Sequence, residues 1–191
     1  MSRILDNTVL SNFCLVDRLD LLRALFGKLY VTYEVREEVL RGIDEGYAFM
    51  RRAEEEMGIG EKAWLELIGF ESPAEERTFR DSLGKLGYGE ASCLAIAQHR
   101  GWLVLTDDLT ARRALRQVGL EVTGTLGILK LAVERGLLSL AEGNELLRQM
   151  IQGGYHSPYD KLEEINESSN TGGVVEGARR GLSNSAEGSV L

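Results

Sequence analysis

"WLVLTDDLTARRAL", Trp102 to Leu115, holds four apolar residues, a threonine, two adjacent aspartates and then a basic helical pattern. Trp102–Thr106 is an unbroken apolar run, the signature of a strand buried on both faces of a parallel sheet. "LTARRALRQVG" (Leu109–Gly119) has helical spacing and closes on a glycine. A buried strand therefore ends in Asp107 and Asp108, where unpaired charge is costly. The pair must hold something.

Outward from this stretch, strands and helices alternate. "SRIL" (Ser2–Leu5) is a short apolar strand, and a helix begins in "DNTVLSNFCLV". "DRLDLLRALF" (Asp17–Phe26) is helical and stops at Gly27; "KLYVTY" (Lys28–Tyr33) and "AWLELIGF" (Ala63–Phe70) alternate as strands. Glu34–Met57 is helical with a break near Gly42 or Gly46, and "LEVTG" is a short strand. "SPAE" (Ser72–Glu75) has the form of a capping box, as do the starts "SLAE" (Ser139) and "SPYD" (Ser157). "GEASCLAIAQHRG" (Gly89–Gly101) is a helix, and the helices after Gly124 carry one apolar face that covers the sheet. The alternation predicts an α/β domain over residues 1–165 around a parallel sheet. From Asn166 the chain is rich in Ser, Gly and Asn and is expected to be a disordered tail over 166–191.

Composition narrows the function classes. No run approaches the roughly 18 apolar residues of a membrane span. "MSRILDNTVL" breaks its apolar region at Asp6, so neither a membrane nor a secretory leader is expected and the protein is placed in the cytoplasm. Cys14 and Cys93 sit apart among apolar neighbours, as small buried thiols. His99 and His156 lack metal-ligand spacing and belong on the surface or in a turn. The net charge of −8 opposes tight non-specific binding to polyanions, even though the stretch from Asp160 contributes a net −3 of it.

In a doubly wound sheet, ligands bind beyond the carboxyl ends of the strands where the winding reverses. Asp6 follows the first strand, and Asp107–Asp108 follow the strand at Trp102. If these strands are central neighbours, the carboxylates converge, and Glu38 and Glu90 can reach the same place. Carboxylates about 4 Å apart repel by roughly 4 kcal/mol per pair at an effective dielectric of 20. Protons or a cation must relieve them, and an all-oxygen set suits Mg²⁺ or Mn²⁺. Each acid also has an ordinary structural role open to it: Asp6 and Asp108 as helix N-caps, Glu90 against a helix dipole, Glu38 on a solvated face. "GYGEAS" (Gly87–Ser92) does not follow a strand, so no dinucleotide site is expected; P-loop and nucleophile-elbow motifs are absent. Thr8 stands where a haloacid-dehalogenase-type phosphatase would need a second Asp.

Four motifs in order resemble the PIN domains, metal-dependent nucleases that include the VapC-type toxins of toxin–antitoxin pairs. "LDNTVLSNF" is similar to the opening motif through Asp6 and Thr8. "VTYEVREEV" supplies Glu38 as the second acid, with Glu37 beside it, and "LGYGEASCLAIA" supplies Glu90. "LTDDLTAR" matches T-x-D through Thr106 and Asp108, with Asp107 an added or alternative acid. "TGTLGILKLAVERGLLS" and "GGYHSPYDKLEEI" extend the likeness over about 165 residues. The resemblance implies a three-layer α/β/α fold with about five parallel strands and Mg²⁺- or Mn²⁺-dependent hydrolysis of RNA. It implies Asp6, Glu38, Glu90 and Asp108 as catalytic acids, with Asp6, Glu90, Asp107 and Asp108 as metal ligands. Thr8, Thr106 and Arg112 are supporting residues or phosphate contacts, Arg112 alternatively forming an i,i+4 ion pair with Asp108. Its partners would be RNA, a small antitoxin and a second copy of the chain. The competing expectations are a PIN-like module that binds RNA or protein without cutting, a DNA nuclease, and a small-molecule phosphatase.

Overall fold

The computed structural model describes residues 1–165; the tail expected over 166–191 lies outside the described residues. A single all-parallel sheet has the order β3-β4-β2-β1-β5-β6. Its strands are β1 (Arg3–Leu5), β2 (Leu29–Thr32), β3 (Met57–Gly58), β4 (Leu65–Ile68), β5 (Leu103–Leu105) and β6 (Val122–Thr123). Six strands stand where about five were expected. The addition is β3, an edge strand of two residues, too short to show any period.

The apolar segments Arg3–Leu5 and Leu103–Leu105 pair in register, Arg3 with Leu103, Ile4 with Val104 and Leu5 with Leu105. The residues after them, Asp6 and Thr106, therefore emerge level. The chain runs from β1 outward through β2 to one edge and then crosses back to β5. The winding reverses between β1 and β5, the place where a doubly wound sheet leaves a crevice.

Helices cover both faces. On one, α6 (Tyr88–Arg100) packs over β1, β2 and β5, with α5 (Pro73–Ser82) and α7 (Leu109–Gln117) beside it. Ala91 through Ala97 are all buried, because α6 is enclosed by the sheet and its neighbouring helices. Small residues at Ala91, Ser92, Ala95 and Ala97 allow that close packing. On the other face lie α1 (Asn7–Leu15), α2 (Leu19–Phe26), α4 (Arg51–Glu56), α8 (Thr125–Glu134) and α9 (Leu140–Gln152). Phe13, Leu10, Leu22, Ile128 and Leu129 are fully buried or nearly so in the core between. Among the described residues no helix is long and apolar enough to cross a membrane.

Three local expectations change. The helix expected over Glu34–Met57 is α3 (Tyr33–Asp44), which stops before Gly46 at φ +104°, then a 3₁₀ turn and α4. Ser72 caps α5 by accepting from the Glu75 amide, but the Glu75 carboxylate accepts from Glu71 instead of returning to Ser72. The full capping box forms at Ser139 and Glu142. No α-helix starts at Ser157: its hydroxyl accepts from the Tyr159 N–H and donates to the Tyr159 carbonyl, closing a turn. Cys14 and Cys93 are free buried thiols, while His99 and His156 are exposed.

Candidate active site

Asp6 is 1% exposed and stands at the N-cap of α1 without capping it. Its Oδ2 is turned instead to two hydroxyls, accepting from Thr8 Oγ1 and Thr106 Oγ1, each at 2.8 Å. Thr8 Oγ1 accepts from the Asp107 N–H at 2.9 Å, and Thr106 Oγ1 accepts from the Asp108 N–H at 3.2 Å. Both backbone donors use the hydroxyl lone pairs, so both hydroxyl protons are directed onto Asp6. This order holds one aspartate oxygen tightly. The other, Oδ1, is buried without a hydrogen-bond partner, as is Oδ1 of the next residue, Asn7.

Burial raises the Asp6 carboxyl first and the Glu90 charge raises it next; Glu38 adds a smaller push. The threonine hydrogen bonds oppose them, and the balance brings Asp6 to about 7. Glu38 is itself shifted upward, by burial first and with help from Glu90, against the Gly89 N–H and Arg41. Asp6, Glu38 and Glu90 thus form one repelling group, assembled from the end of β1, the body of α3 and the first turn of α6.

The backbone around α6 is shaped for these acids. The Gly89 N–H donates to Glu38 Oε1 at 2.8 Å. A Cβ at Gly89 would stand 2.6 Å from Glu38 Oε2, and one at Gly87 would collide with the Glu90 carboxylate. Thr32 caps α3 by accepting from the Val35 N–H, and its hydroxyl lies 2.7 Å from that of Ser92. Ser92 donates in turn to the Gly89 carbonyl. These fully buried contacts fix the start of α3 against the first turn of α6, and so fix Glu38 beside Glu90.

The adjacent aspartates part company. Asp107, expected among the metal ligands, is a structural hub. Its Oδ1 accepts from the Thr125 N–H and the Tyr155 hydroxyl, and its Oδ2 from Asn12 Nδ2 and Thr125 Oγ1. With four donors on two oxygens it has little left for a cation. It caps α8 from outside, where Gly124 at that helix's N-cap has no side chain to offer. Asp108 caps α7 through Oδ1, which accepts from the Ala111 N–H at 2.7 Å. Among the described residues its other oxygen has no hydrogen-bond partner, so the structural role does not consume it.

Arg112 forms no ion pair with Asp108. Its half-buried guanidinium donates to the Thr106 carbonyl at 2.8 Å and buttresses the strand end. Asn12, Thr32, Ser92, Thr125 and Tyr155 escaped the sequence reading. They are ordinary polar residues whose partners stand from three to 113 positions away.

The donor set suits a hard cation. Asp6 Oδ1 is the acceptor that waits for a proton or an ion, Glu90 is the charge with the largest effect on it, and Asp108, with one oxygen not used in capping, stands two residues beyond Thr106. Among the described residues no three His, Cys, Asp or Glu side chains close into a ready cage. A cation taking few protein oxygens and several waters fits such a set, which is the habit of Mg²⁺. By contrast, other charges are matched, Lys28 with Glu66 at 2.7 Å and Arg100 with Glu75 at 2.7 Å.

Comparison with curated proteins gives no match. A family model described as a PIN domain matches residues 2–171, taking in all six strands and every acid of the site. PIN domains are generally nucleases that use divalent metal ions. With that match over most of its length, on an all-parallel α/β/α fold, the chain belongs to the PIN domain family.

Proposed function

We propose that the protein is a metal-dependent endoribonuclease and the toxin of a toxin–antitoxin pair, with a small antitoxin as its partner. The observation that carries the reading is Asp6: a buried carboxylate held by two directed hydroxyls, with one oxygen left bare beside Glu90 and Glu38. A carboxylate kept near the proton's edge of neutrality is poised to exchange that proton for a cation.

Asp6, Glu90 and Asp108 would hold Mg²⁺ or Mn²⁺. When bound, such an ion activates water, orients the scissile phosphate and stabilises charge on the leaving oxygen. Thr8 and Thr106 hold Oδ2 of Asp6, so that Oδ1 is the oxygen left without a partner. Glu38, half-buried and anchored by the Gly89 N–H, would accept a proton from attacking water. Arg112 supports the Thr106 carbonyl and so the strand end that carries both hydroxyl and acid.

The test is cleavage of a mixed pool of single-stranded and structured RNA by purified protein with Mg²⁺, Mn²⁺ or EDTA. Asp6→Asn and Asp108→Asn are run alongside, and metal-induced thermal stabilisation is read on the same samples. Metal-dependent cutting reduced at least on the order of 10²-fold in both variants is expected, with loss of the stabilisation in Asp6→Asn. Equal cutting by wild type and variants would overturn the assignment of the site. Metal stabilisation without cutting of any RNA would leave a binding module in its place.

A further inference from the structure

Nine large hydrophobic side chains are exposed among the described residues, and three of them share one position in the fold. Tyr33, Tyr88 and Leu109 are the first residues of α3, α6 and α7, the helices that carry or are capped by Glu38, Glu90 and Asp108. Each stands where its helix begins, on the edge of the sheet that bears the acids. Tyr33 is 45% and Tyr88 62% exposed.

Further rings lie near the two tyrosines. The Tyr33 ring lies against Gly69, 3.5 Å from where a Cβ would be, and Phe70 follows in the chain. Phe70 and Phe79 have centroids 5.1 Å apart, and Phe79 and Tyr88 are 6.1 Å apart. Phe70 and Phe79 thus continue the aromatic surface from Tyr88, and the Tyr33 ring packs on Gly69, the residue before Phe70. Core packing does not explain the exposed tyrosines.

Charge does not explain how a nucleic acid would bind here. The chain carries −8, and Arg112, on the helix that Asp108 caps, is turned inward to a carbonyl. Attraction to phosphates by released counterions grows with the number of Lys and Arg that meet them, and Arg41, an exposed cation near the site, is set against the Glu38 charge. Stacking on aromatic rings needs no charge, and it requires bases whose faces are free.

Resting on the nuclease reading above, we infer that Tyr33 and Tyr88 are substrate-positioning residues that stack unpaired bases flanking the scissile phosphate. α3 and α6 each offer a ring, Tyr33 and Tyr88, and a carboxylate, Glu38 and Glu90. Recognition then depends on single-strandedness more than on charge. The salt dependence of binding is correspondingly shallow.

The experiment measures binding in EDTA, where no cutting occurs, by fluorescence anisotropy of a labelled single-stranded RNA. The same sequence as a duplex and an abasic strand of equal charge are the comparisons. Tyr33→Ala and Tyr88→Ala are each expected to weaken single-strand binding by roughly 5- to 150-fold, the range of one lost stack. Tyr33→Phe and Tyr88→Phe keep wild-type binding, since the ring remains. The duplex and the abasic strand bind more weakly than the intact single strand. Alanine variants that bind like wild type, phenylalanine variants that lose as much as alanine, or a duplex bound as well as the strand would each overturn the inference. Wild-type protein that cuts RNA while the alanine variants bind normally overturns the stacking alone. Wild-type protein that neither binds nor cuts any RNA removes the nuclease reading and this inference with it.

Discussion

At the scale of single residues, Asp6 carries the proposed chemistry because burial and neighbouring charge act on it together. The folded protein keeps its proton up to about pH 7, whereas a carboxyl in an unfolded chain loses it near 4. Between these values the folded state holds the more protons. Without metal, stability is therefore full below about pH 4, falls as pH rises, and has lost the Asp6 contribution above about 7. Three units correspond to about 4 kcal/mol as an upper figure. Asp6→Asn has no proton to lose, so in EDTA it should gain stability over wild type at pH 8 and little at pH 4. Denaturant midpoints at the two pH values check this; an equal difference at both would mean that Asp6 is not held protonated. The sequence marked Asp6 as an acid after a strand but could not tell ligand from N-cap. That distinction depends on Thr106, 100 positions away, drawing its side chain off the helix end.

At the scale of elements, the start of α6 is the part that cannot tolerate a side chain. Gly89 gives its N–H to Glu38 and leaves the space that the Glu38 carboxylate fills. Gly89→Ala should push Glu38 aside while leaving the helix intact, since alanine is a good helix former. Cleavage should drop on the order of 10²-fold, as misplacement of a reacting group by about 1 Å does, with only a small change in melting temperature. Unchanged cleavage would show that Glu38 works from another position or not at all. The helix itself was legible: "ASCLAIA" is apolar on every side, as an enclosed helix must be, and Gly101 ends it. The pairing of Thr32 with Ser92 was not, because a buried threonine and serine have the same local propensities as exposed ones.

At the scale of the whole molecule, Asp107 ties the end of β5 to α1, to the first turn of α8 and to Tyr155 beyond α9. Its neighbour Asp108 caps one helix. Asp107→Ala would strand several donors at once and should cost about 3–5 kcal/mol of stability. Asp108→Ala loses a cap, worth about 1 kcal/mol, while losing far more activity per folded molecule. Chemical denaturation of the two variants, with cleavage measured on the folded fraction, separates the roles. Equal destabilisation by both would contradict the division between hub and site.

The sequence by itself determined the architecture: apolar runs with breakers between them have few ways to be buried, and alternation of strand and helix leaves a parallel sheet. It also determined which acids stand at strand and helix ends, since Asp6, Glu90 and Asp108 follow such boundaries directly. Tertiary structure alone decided what each acid does. Local pattern cannot register that Thr8 and Thr106 turn Asp6 inward, that Thr125 and Asn12 occupy Asp107, or that Tyr33 and Tyr88 remain uncovered. Those outcomes rest on hydrogen bonds and exposure between segments far apart in the chain. They exist only once the sheet has brought β1, β5 and α6 to a common edge.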